Sequence, residues 1–284
     1  MTTKLRDVEK LKEIALGLRR DIIEMLYRAG SGHPGGSLSA VELVSALYLG
    51  EMNYDPANTT DPNRDRFILS KGHCCPVLYA TLAHVGAIPR EALWKLRTLG
   101  SPLQGHPCML KMPQMEVSTG SLGQGISVAN GMALAARLDK RDYRVYCLMG
   151  DGECQEGELW EAAMTAGVHK LDNLCGLIDY NHVQQTHPIK KIKDIEPLAD
   201  KWRAMNWHAI EIDGNDYAQI FDALDEARAI KGKPTVIIGS TQKGKGVSFM
   251  EGDPGFHGKS PNEEQYIKAM AELGADVSGG KTYE

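Results

Sequence analysis

The sequence predicts an α/β fold, a mostly parallel sheet with helices on both faces. Three observations carry this expectation. First, from about residue 143 onward, short apolar runs alternate with amphipathic stretches: "YRVYCLM", "GELWEAAMTAGVHK", "NLCGLIDYN", "LADKWRAM", "HAIEI", "YAQIFDALDEARAI" and "PTVIIGS". Strands alternating with helices build a parallel sheet covered on both sides. Second, two of those apolar runs end abruptly on polar turn residues, Asp151 between two glycines and Asn181. Third, 284 residues with 42% hydrophobic and 24% charged residues suffice for one large core, and no internal repeat or Pro/Gly/Ser-rich linker divides the chain. One domain is expected over residues 1–274, with "ADVSGGKTYE" (275–284) as a flexible tail.

In chain order, Leu11, Ile14, Leu18, Ile22 and Met25 recur at three- and four-residue spacings, which puts them on one helix face. The glycines and proline of "RAGSGHPGGS" are expected to break regular structure. A second helix is expected over "LSAVELVSALYLGEM", with Ser39 as its N-cap. A polar loop, "DPANTTDPNRD", precedes the short strand "RFILS". "KGHCCPVLYATLAHVG" reads as a loop entering a helix, and "GSLGQGISVANGMALAARL" as a glycine-rich turn opening another.

The net charge of -5 argues against broad binding to nucleic acid or an anionic membrane, though it leaves room for a local basic pocket. No apolar run reaches bilayer-spanning length, and the charged N-terminus lacks a signal-peptide core, so a cytoplasmic protein is expected. The six cysteines form no C-x-x-C pair and read as small reduced core residues.

Ligands of open parallel sheets bind beyond the carboxyl ends of the strands. Asp151 and Asn181 sit at two such ends, joined by one crossover helix, so right-handed connectivity can bring them together. The flanking Gly150 and Gly152 permit unusual backbone angles and close approach, and the following helix turns its positive end toward the same rim. A carboxylate, an amide oxygen and a backbone carbonyl form a hard donor set suited to magnesium or calcium bridging a diphosphate. The alternative reading is an Asp N-cap followed by an Asn turn.

Taken together, G-D-G, "QEGELWEAA" and a strand ending in Asn resemble the thiamine-diphosphate fingerprint, and most closely that of the transketolase family. "SGHPGGSLSAVEL", "RFILSKGHCCPVLYA", "QGHP", "STGSLGQGISVANGMA" and "FHGKSP" appear in the family's order across nearly the whole chain. The resemblance implies thiamine diphosphate as cofactor and Mg2+, Ca2+ or Mn2+ as the ion. It implies Asp151, Asn181 and the Val183 carbonyl as metal ligands. Gly150, Gly152 and Asn181 would approach the diphosphate, and Gly120, Ser121 and Leu122 would line the cofactor. Gly36 matches a further cofactor contact. Lys243, in "QKGKGVS", matches a lysine that nears the cofactor in some members; a solvated loop lysine is the other reading.

His33, His73 and His106 each follow a glycine, and His257 precedes one. Breaking a carbon–carbon bond in a sugar needs groups that move hydroxyl protons and donate to a developing oxyanion, and imidazole can do both near neutral pH. By resemblance these four are catalytic. His73 and His257 would also touch the diphosphate, while His33 and His106 would bind sugar hydroxyls. A four-histidine metal site is disfavoured by their wide, irregular spacing. Glu156 and Glu161 suit a helix N-terminus electrostatically. By resemblance they lie at a dimer interface linking two active sites, and Glu156 is counted on the cofactor side.

The family's pyrimidine-binding domain, which carries the activating glutamate, has no counterpart here. The chain therefore resembles the N-terminal subunit of a split transketolase, expected to pair with a C-terminal, pyrimidine-binding chain as α2β2 and to act on sugar phosphates. A 1-deoxyxylulose-5-phosphate synthase-like or dihydroxyacetone synthase-like protein is an alternative, as is a non-catalytic binding protein.

Overall fold

In the computed structural model, which describes residues 4–278 and 283, five parallel strands form one sheet in the order β1-β2-β3-β7-β6. They are β1 (Arg66–Leu69), β2 (Val145–Gly150), β3 (Leu174–Tyr180), β6 (His208–Asp213) and β7 (Thr235–Ser240). β4 (Val183–Gln184) and β5 (His187–Pro188) form a small antiparallel hairpin beyond the end of β3. The helices are α1 (Val8–Ala29), α2 (Pro34–Ser39), α3 (Val41–Ala46), α4 (Cys75–His84), α5 (Gly125–Leu138), α6 (Gly157–Val168), α7 (Ile189–Ile192), α8 (Leu198–Ala204), α9 (Tyr217–Ala229) and α10 (Glu263–Glu272).

Alternation along the strands sorts the core into two layers. Tyr146, Leu148, Cys175, Leu177 and Ile237 face one side, where they pack with α1, α3, α4, α9 and α10. Val145, Cys147, Met149, Leu174, Ile178, Val236 and Ile238 face the other, with α5, α6 and α8. Burial on both sides is why these strands read as nearly continuous apolar runs. Each fully buried Leu or Ile stabilises the fold by about 1.5–3 kcal/mol.

α1 begins where Asp7 accepts from the amides of Glu9 and Lys10, and it ends at Gly30, whose φ of 59° suits a left-handed C-cap. Its buried face contains Leu11, Leu18, Ile22 and Met25, as the spacing requires. The next segment departs from expectation. The expected break does occur over residues 30–33, but it is short: Pro34 opens α2, where its missing N–H costs nothing, so "PGGS" is helical. Ser39 consequently lies inside this helical run and caps nothing; its hydroxyl donates to the Gly36 carbonyl and to Asp179. Gly36 is required by crowding, since a Cβ there would come within 2.7 Å of Cys74 Sγ. α10 also went unread, although Asn262 and Gln265 form a reciprocal capping box at its start.

All six cysteines are free and five are buried, in keeping with small core residues. Among the described residues, no helix is long and apolar enough to cross a membrane. Within the expected tail, residues 279–282 and 284 lie outside the described residues, while Val277 is buried in the core.

Candidate active site

Four neighbouring strands each deliver a polar residue to one cavity at the carboxyl rim of the sheet. Lys71 follows β1, Asp151 follows β2, Asn181 follows β3 and Lys243 lies beyond β7. The register explains the convergence: Gly150 pairs with Asp179, and Tyr180 pairs with Ser240, so the strands end nearly level. The cavity measures about 230 Å³. These four residues are almost wholly buried, with Asp151 4%, Asn181 7%, Lys71 2% and Lys243 2% exposed.

Asp151 accepts from the Gly152 amide and from the His182 amide, both at 2.7 Å. Burial, and then the nearby Asp179 carboxylate, push its pKa up to about 6 against those bonds and Lys71. Asn181 donates its amide nitrogen to Asp179 at 3.2 Å, and its oxygen accepts from the Val183 amide at 3.3 Å. This network assigns the amide flip and turns the oxygen toward the start of the hairpin. The Asp151 carboxylate, the Asn181 oxygen and Val183 thus line one cavity. Its donors are oxygens of three different kinds, and no cluster of three or more His, Cys, Asp or Glu residues suited to a metal occurs among the described residues. The donor chemistry fits a hard divalent ion.

Lys243 is not a solvated loop residue. Its ammonium donates to the Val183 carbonyl at 2.7 Å and lies 3.1 Å from His257 Nδ1. An ammonium can only donate, so Nδ1 of His257 accepts and the ring proton sits on Nε2. Burial, and repulsion from Lys71, lower the Lys243 pKa to about 8 despite Asp151.

Three of the four histidines form one cluster. Ring centroids lie 5.1 Å apart for His33 and His73, 5.5 Å for His33 and His257, and 5.3 Å for His73 and His257. Burial comes first among the causes that lower all three pKa values, followed by neighbouring cations: His33 to about 4, His257 to about 3, and His73 well below its ordinary value. All three are neutral at pH 7. The Nδ1 of His33 is buried without a hydrogen-bond partner, leaving an unused polar atom in the cluster. His106 is exposed and is not among the residues that line the cavity, but its ring lies against Gly120, where a Cβ would come within 3.0 Å. Desolvation and the Arg97 guanidinium lower its pKa.

Gly36, Gly120, Leu122, Gly150 and Gly152 also line the cavity. Ser121 is exposed and outside its wall. Glu156 is likewise exposed: it precedes α6 and is not among the residues lining the cavity. Glu161 is exposed on α6. Neither Gly150 nor Gly152 occupies the left-handed region, and a Cβ at Gly150 would meet nothing nearer than 3.8 Å, so crowding is seen only at Gly152. At Gly152 a Cβ would come 3.1 Å from Gln184 Cγ.

The sequence reading missed three buried charges. Lys71 pairs with Asp179, which also accepts from the hydroxyls of Ser39 and Thr241. Burial opposes both ionised forms, but the pairing raises the Lys71 pKa and lowers that of Asp179. Glu153, between the glycine loop and α6, is the third. A signal was present: Asp179 is the one charge in the apolar run "LCGLIDY", and a charge in a buried strand demands a partner.

A parallel sheet whose carboxyl rim gathers two lysines, a carboxylate and an amide beside a histidine cluster is the ligand-binding arrangement of an open α/β domain. Residues 11–279 match the transketolase, thiamine diphosphate binding domain family. The chain is 45% identical over 256 residues to SqwG, a 6-deoxy-6-sulfo-D-fructose transketolase subunit of Clostridium sp. (strain MSTE9), covering 90% of this chain and 93% of that protein. It is 42% identical to one of the subunits of the apulose-4-phosphate transketolase of Phocaeicola vulgatus, covering 90% of each. The transketolase structure from Campylobacter jejuni is similar with a TM-score of 0.89 at 35% identity, over 96% of this chain and 44% of that one. Rat transketolase is 39% identical, and again the chain spans only 44% of its length. This chain belongs to the transketolase family and corresponds to its N-terminal, thiamine diphosphate-binding part.

Proposed function

We propose that this chain is the diphosphate-binding subunit of a two-chain transketolase. With a separate pyrimidine-binding subunit, it would move a two-carbon ketol unit from a ketose phosphate to an aldose phosphate, in an α2β2 assembly. The observation that carries this reading is the match in extent to proteins named as subunits, 93% of one and 90% of another. Both are named for sugars bearing an anionic group, which supports an anionic sugar here.

Thiamine diphosphate, when bound, supplies the carbon nucleophile that lets a bond beside a carbonyl break. The chain's own residues have separate tasks. The Asp151 and Asn181 oxygens and the Val183 carbonyl would hold Mg2+; Ca2+ or Mn2+ suits the same donors. Val183 can keep its bond to Lys243, because a carbonyl oxygen has two lone pairs. Lys243, His73 and the backbone at Gly120 and Gly152 would meet phosphate oxygens. His33 and His106 would hydrogen-bond sugar hydroxyls. His257, neutral and carrying its proton on Nε2, would hold or return a hydroxyl proton together with His73.

The test mixes the purified chain with a pyrimidine-domain subunit, Mg2+ and thiamine diphosphate, and follows ketol transfer. Activity is expected from the mixture and not from either chain alone. Turnover by this chain alone would refute the shared site, and consumption of pyruvate in place of a ketose would favour the synthase reading.

A further inference from the structure

Glu153 presents a problem that the cofactor reading does not solve. Its carboxylate is 2% exposed in the wall of the cavity, where a negative charge works against a diphosphate. Yet every hydrogen-bond donor it accepts from is neutral. Oε1 accepts from the Ser70 hydroxyl and, at 2.8 Å, from the Gly123 amide; Oε2 accepts from the Gly150 amide at 3.0 Å. These donors stand 83, 30 and 3 residues away in sequence, in the turn after β1, in the turn before α5 and at the last residue of β2. Each segment carries or adjoins site residues: Ser70 precedes Lys71 and His73, Gly123 follows Gly120 and Leu122, and Gly150 precedes Asp151. The start of α5 is also packed tightly on the turn after β1, since a Cβ at Gly125 would come 2.4 Å from Ser70 Oγ.

We infer that Glu153 is a positioning residue, a buried acceptor that ties the end of β2 to the turn after β1 and the turn before α5, the three segments on which the diphosphate end of the cofactor rests. The inference rests on the reading of the site given above. Only a carboxylate accepts on both sides. In Glu153→Gln one side becomes an NH2 group and faces an N–H or O–H donor.

The test uses the full chain. For Glu153→Gln without cofactor, amide hydrogen exchange across 120–124 and 148–152 should quicken at least tenfold with an unchanged circular dichroism spectrum. The Kd for thiamine diphosphate with Mg2+ should rise at least tenfold. At saturating cofactor with the partner subunit, kcat should stay within about twofold, a split that a merely structural role does not produce. Ser70→Ala removes one donor and should raise Kd about threefold; combined with Glu153→Gln, the two effects should be less than multiplicative. If Glu153→Gln does not fold, Ser70→Ala decides by the same exchange and binding measurements. Exchange and Kd within twofold of wild type overturn the inference, as does a loss confined to kcat. A wild-type chain that fails to bind the cofactor overturns the site reading and this inference together, whereas a binding wild type matched by Glu153→Gln overturns this inference alone.

Discussion

The two ends of the cavity are built on opposite electrostatic plans. At the sheet rim, charge is concentrated and compensated: Lys71 is locked to Asp179, Lys243 to the Val183 carbonyl, and Asp151 to two amides. At the histidine end, three rings are packed against one another and held neutral, and one keeps a buried nitrogen without a partner. In the function proposed above, the first end would hold fixed charge, and the second would exchange protons and hydrogen bonds with the sugar hydroxyls. Substitutions at the two ends should therefore fail in different ways.

The largest effect is expected from Lys71→Met, which leaves Asp179 buried and unpaired. Breaking such a pair costs about 3–5 kcal/mol. Urea unfolding should report that loss, and a change under about 1 kcal/mol would show that Asp179 finds compensation elsewhere. At the other end, His33→Asn should leave folding and cofactor Kd nearly intact, within about threefold. Turnover with the partner should fall by about 10²-fold or more, the scale of general acid–base assistance. Turnover equal to wild type would erase the distinction between the ends.

Much of this was legible in the sequence, and the omissions share a cause. Periodicity located β1, β2, β3, β6 and β7 because sheet burial imprints apolar runs. Asp151, Asn181 and the four histidines stood out because they occupy turns. Lys71, Asp179 and Glu153 were missed because their partners are distant in sequence: 108 residues separate the first pair, and 83 lie between Ser70 and Glu153. Three-dimensional pairing of charges leaves no periodic trace. Ser39 was misread because local cap preference was weighed without the bond to Asp179, 140 residues away.

The smallest expected effect concerns pH. Below about 6.5 the unfolded chain protonates its histidines. The folded chain resists until about 4 at His33 and about 3 at His257. The unfolded state then binds more protons, so the cluster contributes stability that is lost as pH falls from about 6.5 toward 4. Asp151, pushed up to about 6, acts in the opposite sense between its unfolded and folded values. The comparison that isolates the cluster is wild type against a His33→Asn/His257→Asn chain. The double variant should show a shallower fall in Tm between pH 6.5 and 4, and equal slopes would mean the rings are protonated in the folded state.

The central claim is that the rim holds a diphosphate through a divalent ion. Calorimetric titration of thiamine diphosphate into the full chain, with Mg2+ and with chelator, tests it most directly, using wild type and Asp151→Ala side by side. The account predicts stoichiometric, Mg2+-dependent binding that Asp151→Ala weakens more than tenfold, equivalent to about 1.4 kcal/mol. Binding that is indifferent both to chelation and to the loss of Asp151 would contradict it.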